Sequence, residues 1–170
     1  MKTKLLLAIL LVIPIAVSGC TATAGTGNLV LQITDKPDLN IEKADVTLSN
    51  VRVHVAGAGN ESGWITVVEE PKTFDLVAIK DVKTFLGEED LAVGMYTQIR
   101  LDVDKALVTI NGTEYNLTIP SKTVKLVRSF RIEENKTTTL TLDFDAGQSV
   151  HETGQNGQYI MRPTIAVIQE

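Results

Sequence analysis

From Asn28 onward, apolar residues recur at every second position, and this period confines most of the chain to β-strands. Leu29, Leu31 and Ile33 alternate with Val30, Gln32 and Thr34. Ile99, Leu101 and Val103 alternate with Gln98, Arg100, Asp102 and Asp104, and Leu140, Leu142 and Phe144 with Thr139, Thr141 and Asp143. Alternation of this kind puts one set of side chains on each face of a pleated strand. Threonine and valine are abundant, as half-buried pleated surfaces favour. Ala106, Val108 and Ile110 lead into Asn111-Gly112, and Tyr115, Leu117 and Ile119 resume the alternation before Pro120, which predicts a two-residue hairpin. The apolar parity flips around Ser49-Asn50 and again at Asp104-Lys105. Each flip predicts a bulge or bend, of the kind found where a strand passes from one sheet to another. In Val77 to Leu86 the residues Ile79, Val82, Phe85 and Leu86 recur at spacings near 3.6, predicting a short helix or helical turn ended by Gly87, with Glu88, Glu89 and Asp90 in a loop. The stretch from about Tyr159 to Ile168 is apolar on both parities, predicting a central strand covered on both sides. Together these features predict an all-β, two-layer antiparallel β-sandwich, immunoglobulin-like or transthyretin-like, with one short helix.

Ahead of this body stands a segment of another kind. Lys2 and Lys4 precede an apolar run from Leu5 to Val17, broken once at Pro14. The run is shorter than the roughly 20 residues that cross a bilayer as a helix, so it reads as a signal peptide. It ends in Val17-Ser18-Gly19-Cys20, which resembles the bacterial lipobox. That resemblance implies cleavage between Gly19 and Cys20 and a diacylglyceryl group on the Cys20 sulfur, whose two acyl chains are enough for stable anchoring. The small, polar residues that follow read as a tether. The expected organisation is a leader over residues 1–19, a lipidated Cys20 with flexible tether over 20–27, and one β-domain over 28–170. The expected location is the outer face of a cell membrane or outer membrane.

The chain carries a formal net charge of −5, and loss of Lys2 and Lys4 with the leader makes the rest more negative. Such a chain repels phosphate backbones, which argues against a nucleic-acid partner. Lys122, Lys125, Arg128 and Arg131 are spread along a strand-like segment and read as a solvated face. Cys20 is the single cysteine, so an exported domain has no intrachain disulfide and rests on its core.

Several residues are candidates for chemistry. Asp143 and Asp145 project from one face of a strand, and the glycine-containing loop that follows, with Gly147, Gly154 and Gly157, could return His151 toward them. Oxygen-rich sets of this kind hold calcium, and a histidine admits zinc. The competing reading has both aspartates accepting hydrogen bonds from turn amides at a strand end, with His151 a loop residue. Asp35, Asp38 and Asn40 form a second acidic loop, read either as a calcium clip or as an Asx-turn. No nucleophile elbow, zinc-protease helix, phosphate-cradling loop or reactive cysteine is present, so the residues argue against an enzyme. His54 lies on the parity opposite Val51, Val53 and Val55 and is expected to face solvent. Trp64, the only tryptophan, is either a core plug or a stacking surface for carbohydrate. Asn60, Asn111, Asn116 and Asn135 each begin a glycosylation sequon, with Asn116 on an outward parity and the others in turns.

Four blocks together resemble a family of exported domains catalogued as domain of unknown function 4382. They are Leu29-Val30-Leu31-Gln32-Ile33-Thr34-Asp35 with Pro37; Gly63-Trp64 followed by Phe74-Asp75-Leu76; Gly94-Met95-Tyr96-Thr97-Gln98-Ile99-Arg100-Leu101; and Leu142-Asp143-Phe144-Asp145 through Ser149-Val150-His151, Thr153-Gly154, Tyr159 and Pro163. The resemblance implies the fold and an exported location and carries no activity or site residues. The expected function is therefore a non-enzymatic, membrane-anchored binding or structural module of the cell envelope, with an envelope protein or glycan as partner. The alternative is a metal-dependent enzyme or metal-binding protein centred on Asp143, Asp145 and His151.

Overall fold

In a computed structural model, residues 25–36, 41–59, 61–154 and 157–170 are described. They form two sheets packed face to face as a sandwich, with one short helix. The smaller sheet has the order β12-β9-β1-β5, with β1 spanning Thr26–Asp35, β5 Thr84–Ala92, β9 Thr137–Phe144 and β12 Ile165–Gln169. The larger is built on two long antiparallel strands, β2 (Lys43–Val55) and β6 (Gly94–Ile110). Beside β2 lie β3 (Trp64–Val68) and β4 (Lys72–Asp75); beside β6 lie β7 (Thr113–Thr118) and β8 (Thr123–Ile132). β11 (Gln158–Met161) and β10 (Val150–Thr153) extend the sheet beyond β7. Most pairings are antiparallel, but β1 runs parallel to β9 and β7 to β11.

The alternation read from the sequence fills the space between the sheets. Leu29, Leu31, Ile33, Leu140, Leu142 and Phe144 face inward from the smaller sheet, and Leu48, Val51, Val53, Ile99, Leu101 and Val103 from the larger; all are fully buried. Each such side chain contributes about 1.5–3 kcal/mol through loss of contact with water. Tyr96 and Phe130 stack in this core with ring centroids 5.3 Å apart.

Both parity flips are bulges, and their purpose is visible in the pairing. Asn50 takes a left-handed φ of 51°, and the β2–β6 register slips between Ser49 and Arg52 and again opposite Asp104. At the same level β2 exchanges β4 for β3 as its outer partner, and β6 exchanges β7 for β8. Each long strand stays in one sheet and changes partner at its bulge, rather than crossing between sheets. The Asn111-Gly112 hairpin forms as expected, with both residues at positive φ (49° and 72°) as the turn's twist requires.

Three expectations give way to tertiary packing. Val77 to Leu86 is a helical turn only in its first half, where the Ile79 amide donates to the Asp75 carbonyl oxygen at 3.2 Å. Phe85 through Asp90 belong to β5, because pairing with β1 supplies more backbone hydrogen bonds than one more helical turn would. Gly87 sits inside β5 rather than ending a helix: a Cβ there would meet Val68 Cγ2 at 2.4 Å, so its bare backbone lets the two sheets approach. The apolar run Tyr159 to Ile168 is two strands, parted at Arg162-Pro163-Thr164, and β12 is an edge strand rather than a central one. The short helix is α1 (Ala146–Ser149), capped by Asp145.

Candidate functional site

The residues of β2 and β6 that alternate with the core valines, leucines and isoleucines point to the outer face of the larger sheet. There the register sets two rows across four strands. Thr66, Arg52, Arg100 and Lys125 form one; Trp64, His54, Gln98 and Val127 form the next. Directly opposed residues have their side chains about 4.5–5.5 Å apart at Cβ, so three cations stand shoulder to shoulder in the first row. Trp64 gathers its neighbours: the Arg100 guanidinium carbon lies 4.2 Å from the indole centroid, that of Arg52 5.9 Å, and the His54 ring 4.7 Å. Tryptophan is the strongest aromatic partner for a cation held over its face.

His54 corrects the sequence reading, since it is only 6% exposed rather than solvent-facing. Its parity is outward, but Trp64 and the turn after β2 cover it. Its Nε2–H donates to the Gly59 carbonyl oxygen at 3.1 Å, and its Nδ1 has no such partner. That Nδ1, with the Nε atoms of Arg52 and Arg100, makes up the buried polar side-chain atoms without a hydrogen-bond partner among the described residues. All three lie in this cluster. The acid next outward on β6, Asp102, does not relieve them: it accepts from Asn50 Nδ2 at 2.9 Å and from Thr123 Oγ1 at 2.7 Å. No ion pair among the described residues includes Arg52, Arg100 or Lys125. Like charges directly opposed cost stability, and no ion pair among the described residues offsets them.

Of the two readings of its sequence context, Trp64 is not the core plug. It is half-buried on the outer face, outside the core, with the Arg100 guanidinium over its ring. Arg52, Arg100 and Lys125 did not stand out in the sequence as a group, because the pairing of β6 with β2 and with β8 that brings them together is non-local. Their outward parity was the one available signal.

The aspartates lie at the other sheet's end. Asp145 caps α1, accepting from the Gln148 amide at 2.9 Å, and Asp143 stands 4.0 Å from the Lys36 ammonium. Asp35, 2% exposed, accepts from the Ala146 amide at 2.9 Å. Burial, together with the nearby charges of Asp145 and Asp143, pushes its carboxyl up to about 7. His151 lies exposed in β10, paired with Ile160. Among the described residues no group of three histidine, cysteine or acidic side chains is placed to hold a metal ion, so Asp143, Asp145 and His151 are not brought together as one. Asn111, Asn116 and Asn135 are exposed. Cys20, Asp38, Asn40 and Asn60 lie outside the described residues, as does the leader.

Residues 26–163 match the family described as Domain of unknown function (DUF4382). The chain belongs to that family. This DUF4382 domain matches no curated protein sequence. Among solved structures it is similar to a leucine-rich repeat protein from Bacteroides thetaiotaomicron, at 16% identity and a TM-score of 0.29, covering 80% of this chain and 14% of that one. It is also similar to a candidate cell adhesion protein from Bacteroides ovatus, at 12% identity and a TM-score of 0.25, covering 84% and 44%. The DUF4382 chain thus spans less than half the length of either. The face of Arg52, Arg100 and Trp64 falls within the matched residues.

Proposed function

We propose that this DUF4382 domain is a non-enzymatic binding module, carried on a lipid at Cys20 to the outer face of a cell membrane or outer membrane. The observation that carries the binding role is the row of Arg52, Arg100 and Lys125 beside Trp64, cationic and unneutralised on an otherwise acidic chain. Charge of one sign kept on an open face, at a cost in stability, is the mark of a surface that serves recognition. The location rests on the sequence around Cys20. A metal-dependent enzyme centred on Asp143, Asp145 and His151 draws no support from this geometry.

The location is tested in the cells that make the protein. The chain is expected in the membrane fraction and open to protease added to intact cells, and Cys20→Ser is expected to release it from membranes. A chain that fractionates with the cytosol, or membrane retention unchanged by Cys20→Ser, would contradict the proposal.

A further inference from the structure

Taking the binding-module reading as its base, we infer that the row of Arg52, Arg100 and Lys125 receives an extended, carboxylated polysaccharide laid across the strands of the larger sheet. Four observations select that occupant. The cations are ordered by the sheet itself, one per strand at about 4.8 Å intervals, a step close to the length of one sugar residue. A polymer with a carboxylate on successive residues can therefore meet them in turn. Second, two of the three are arginines, whose planar fork takes a carboxylate through two parallel hydrogen bonds. Their Nε atoms are buried, and neither guanidinium hydrogen-bonds to any described residue, which leaves the terminal nitrogens to take the ligand. Third, neutral hydrogen-bonding side chains border the row: Thr66 at one end, Gln98 beside it and Asn50 near Asp102. These suit hydroxyl groups, which a sugar presents alongside each carboxylate. Fourth, Val127, 85% exposed, stands on the same face next to Gln98 and offers a surface for the apolar side of a sugar ring.

An anionic lipid surface would meet the same charges, but it fits less well. Lipid headgroups carry no fixed spacing, whereas the three cations stand at the regular interval of the strands that bear them.

Trp64 is the chain's only tryptophan, so its emission reports on this face alone. The lipidated full-length chain, held in phosphatidylcholine vesicles, is titrated with oligogalacturonate, monomeric galacturonate and a neutral malto-oligosaccharide. A parallel sample uses vesicles doped with phosphatidylglycerol. The inference expects a saturable change with the acidic oligomer, weakened by salt, at ~tenfold or more lower concentration than the monomer because several charges engage one row. It expects no change with the neutral oligomer or with phosphatidylglycerol. Arg52→Gln with Arg100→Gln is expected to lose ~tenfold or more in affinity at an unchanged melting temperature. Should that pair unfold, Lys125→Gln, on an exposed side chain, is expected to lose affinity severalfold. Lys83→Gln, which pairs with Glu170 outside this face, is expected to change nothing. Equal responses to monomer and oligomer, binding indifferent to these substitutions, or a response to phosphatidylglycerol as large as to the oligomer would each overturn the inference. A lipid-free Cys20 in the native protein would remove the location while leaving this titration interpretable; a failed titration would leave the location standing.

Discussion

Asp35 ends β1 with its carboxyl out of water, accepting the Ala146 amide that begins α1. Burial raises it from the ordinary 3.8 to about 7. Between those values the folded chain binds a proton that the unfolded chain has released, so this group's contribution to stability falls as pH rises from about 4 to about 7. Asp35→Asn keeps an oxygen for the Ala146 amide and removes the charge. The variant's melting temperature is expected to match the parent near pH 4 and to exceed it above pH 7; a constant difference across that range would count against a buried titrating Asp35. The arginines make the opposite case. Arg100→Ala strips a cation from the Trp64 ring at a cost of ~0.5–1 kcal/mol, yet relieves repulsion from Arg52 and Lys125. Its net effect on melting is expected to be small at low salt and more destabilising at high salt, where the repulsion is screened. A loss of stability that is large and independent of salt would show that the cluster is structural.

At the scale of elements, the sheet's behaviour follows from where the chain breaks its own alternation. β1, β9 and each half of β6 on either side of its bulge were legible because their apolar residues alternate along one buried face. The Asn111-Gly112 hairpin was legible because positive φ at both turn residues restricts which residues can stand there. What resisted reading was decided by contacts distant in sequence. β5 looked half-helical because Ile79, Val82 and Leu86 share a helical spacing, and only pairing with β1 turns Phe85 and Leu86 into a strand. His54 looked solvated because its cover, Trp64, comes from another strand. Gly87 looked like a terminator, whereas its role is to admit Val68. Gly87→Ala is therefore expected to cost ~1–3 kcal/mol in chemical unfolding, and Val68→Ala in the same chain to recover part of it. Simple additivity of the two losses would mean that the sheets do not meet at that point.

Over the whole molecule, charge is distributed unevenly. Acids predominate in number, yet Arg52, Arg100 and Lys125 collect unpaired on the outer face of one sheet. No helix among the described residues is long and apolar enough to cross a membrane. The intact mass of protein from its own host is expected to show the mature chain from Cys20 with its lipid, and further mass in steps of sugar residues would point to glycans on the sequons, of which Asn111, Asn116 and Asn135 are exposed. A mass of peptide plus lipid alone would remove glycosylation.

On the outer face, Arg52, Arg100 and Lys125 await an anion that no ion pair among the described residues supplies. The most direct measurement is the melting temperature at constant ionic strength as chloride is replaced by a tricarboxylate, since an anion that binds the folded chain must stabilise it. The parent is expected to melt at progressively higher temperature, and the Arg52→Gln, Arg100→Gln variant to show no such rise. Superimposable curves for the two chains would contradict the claim.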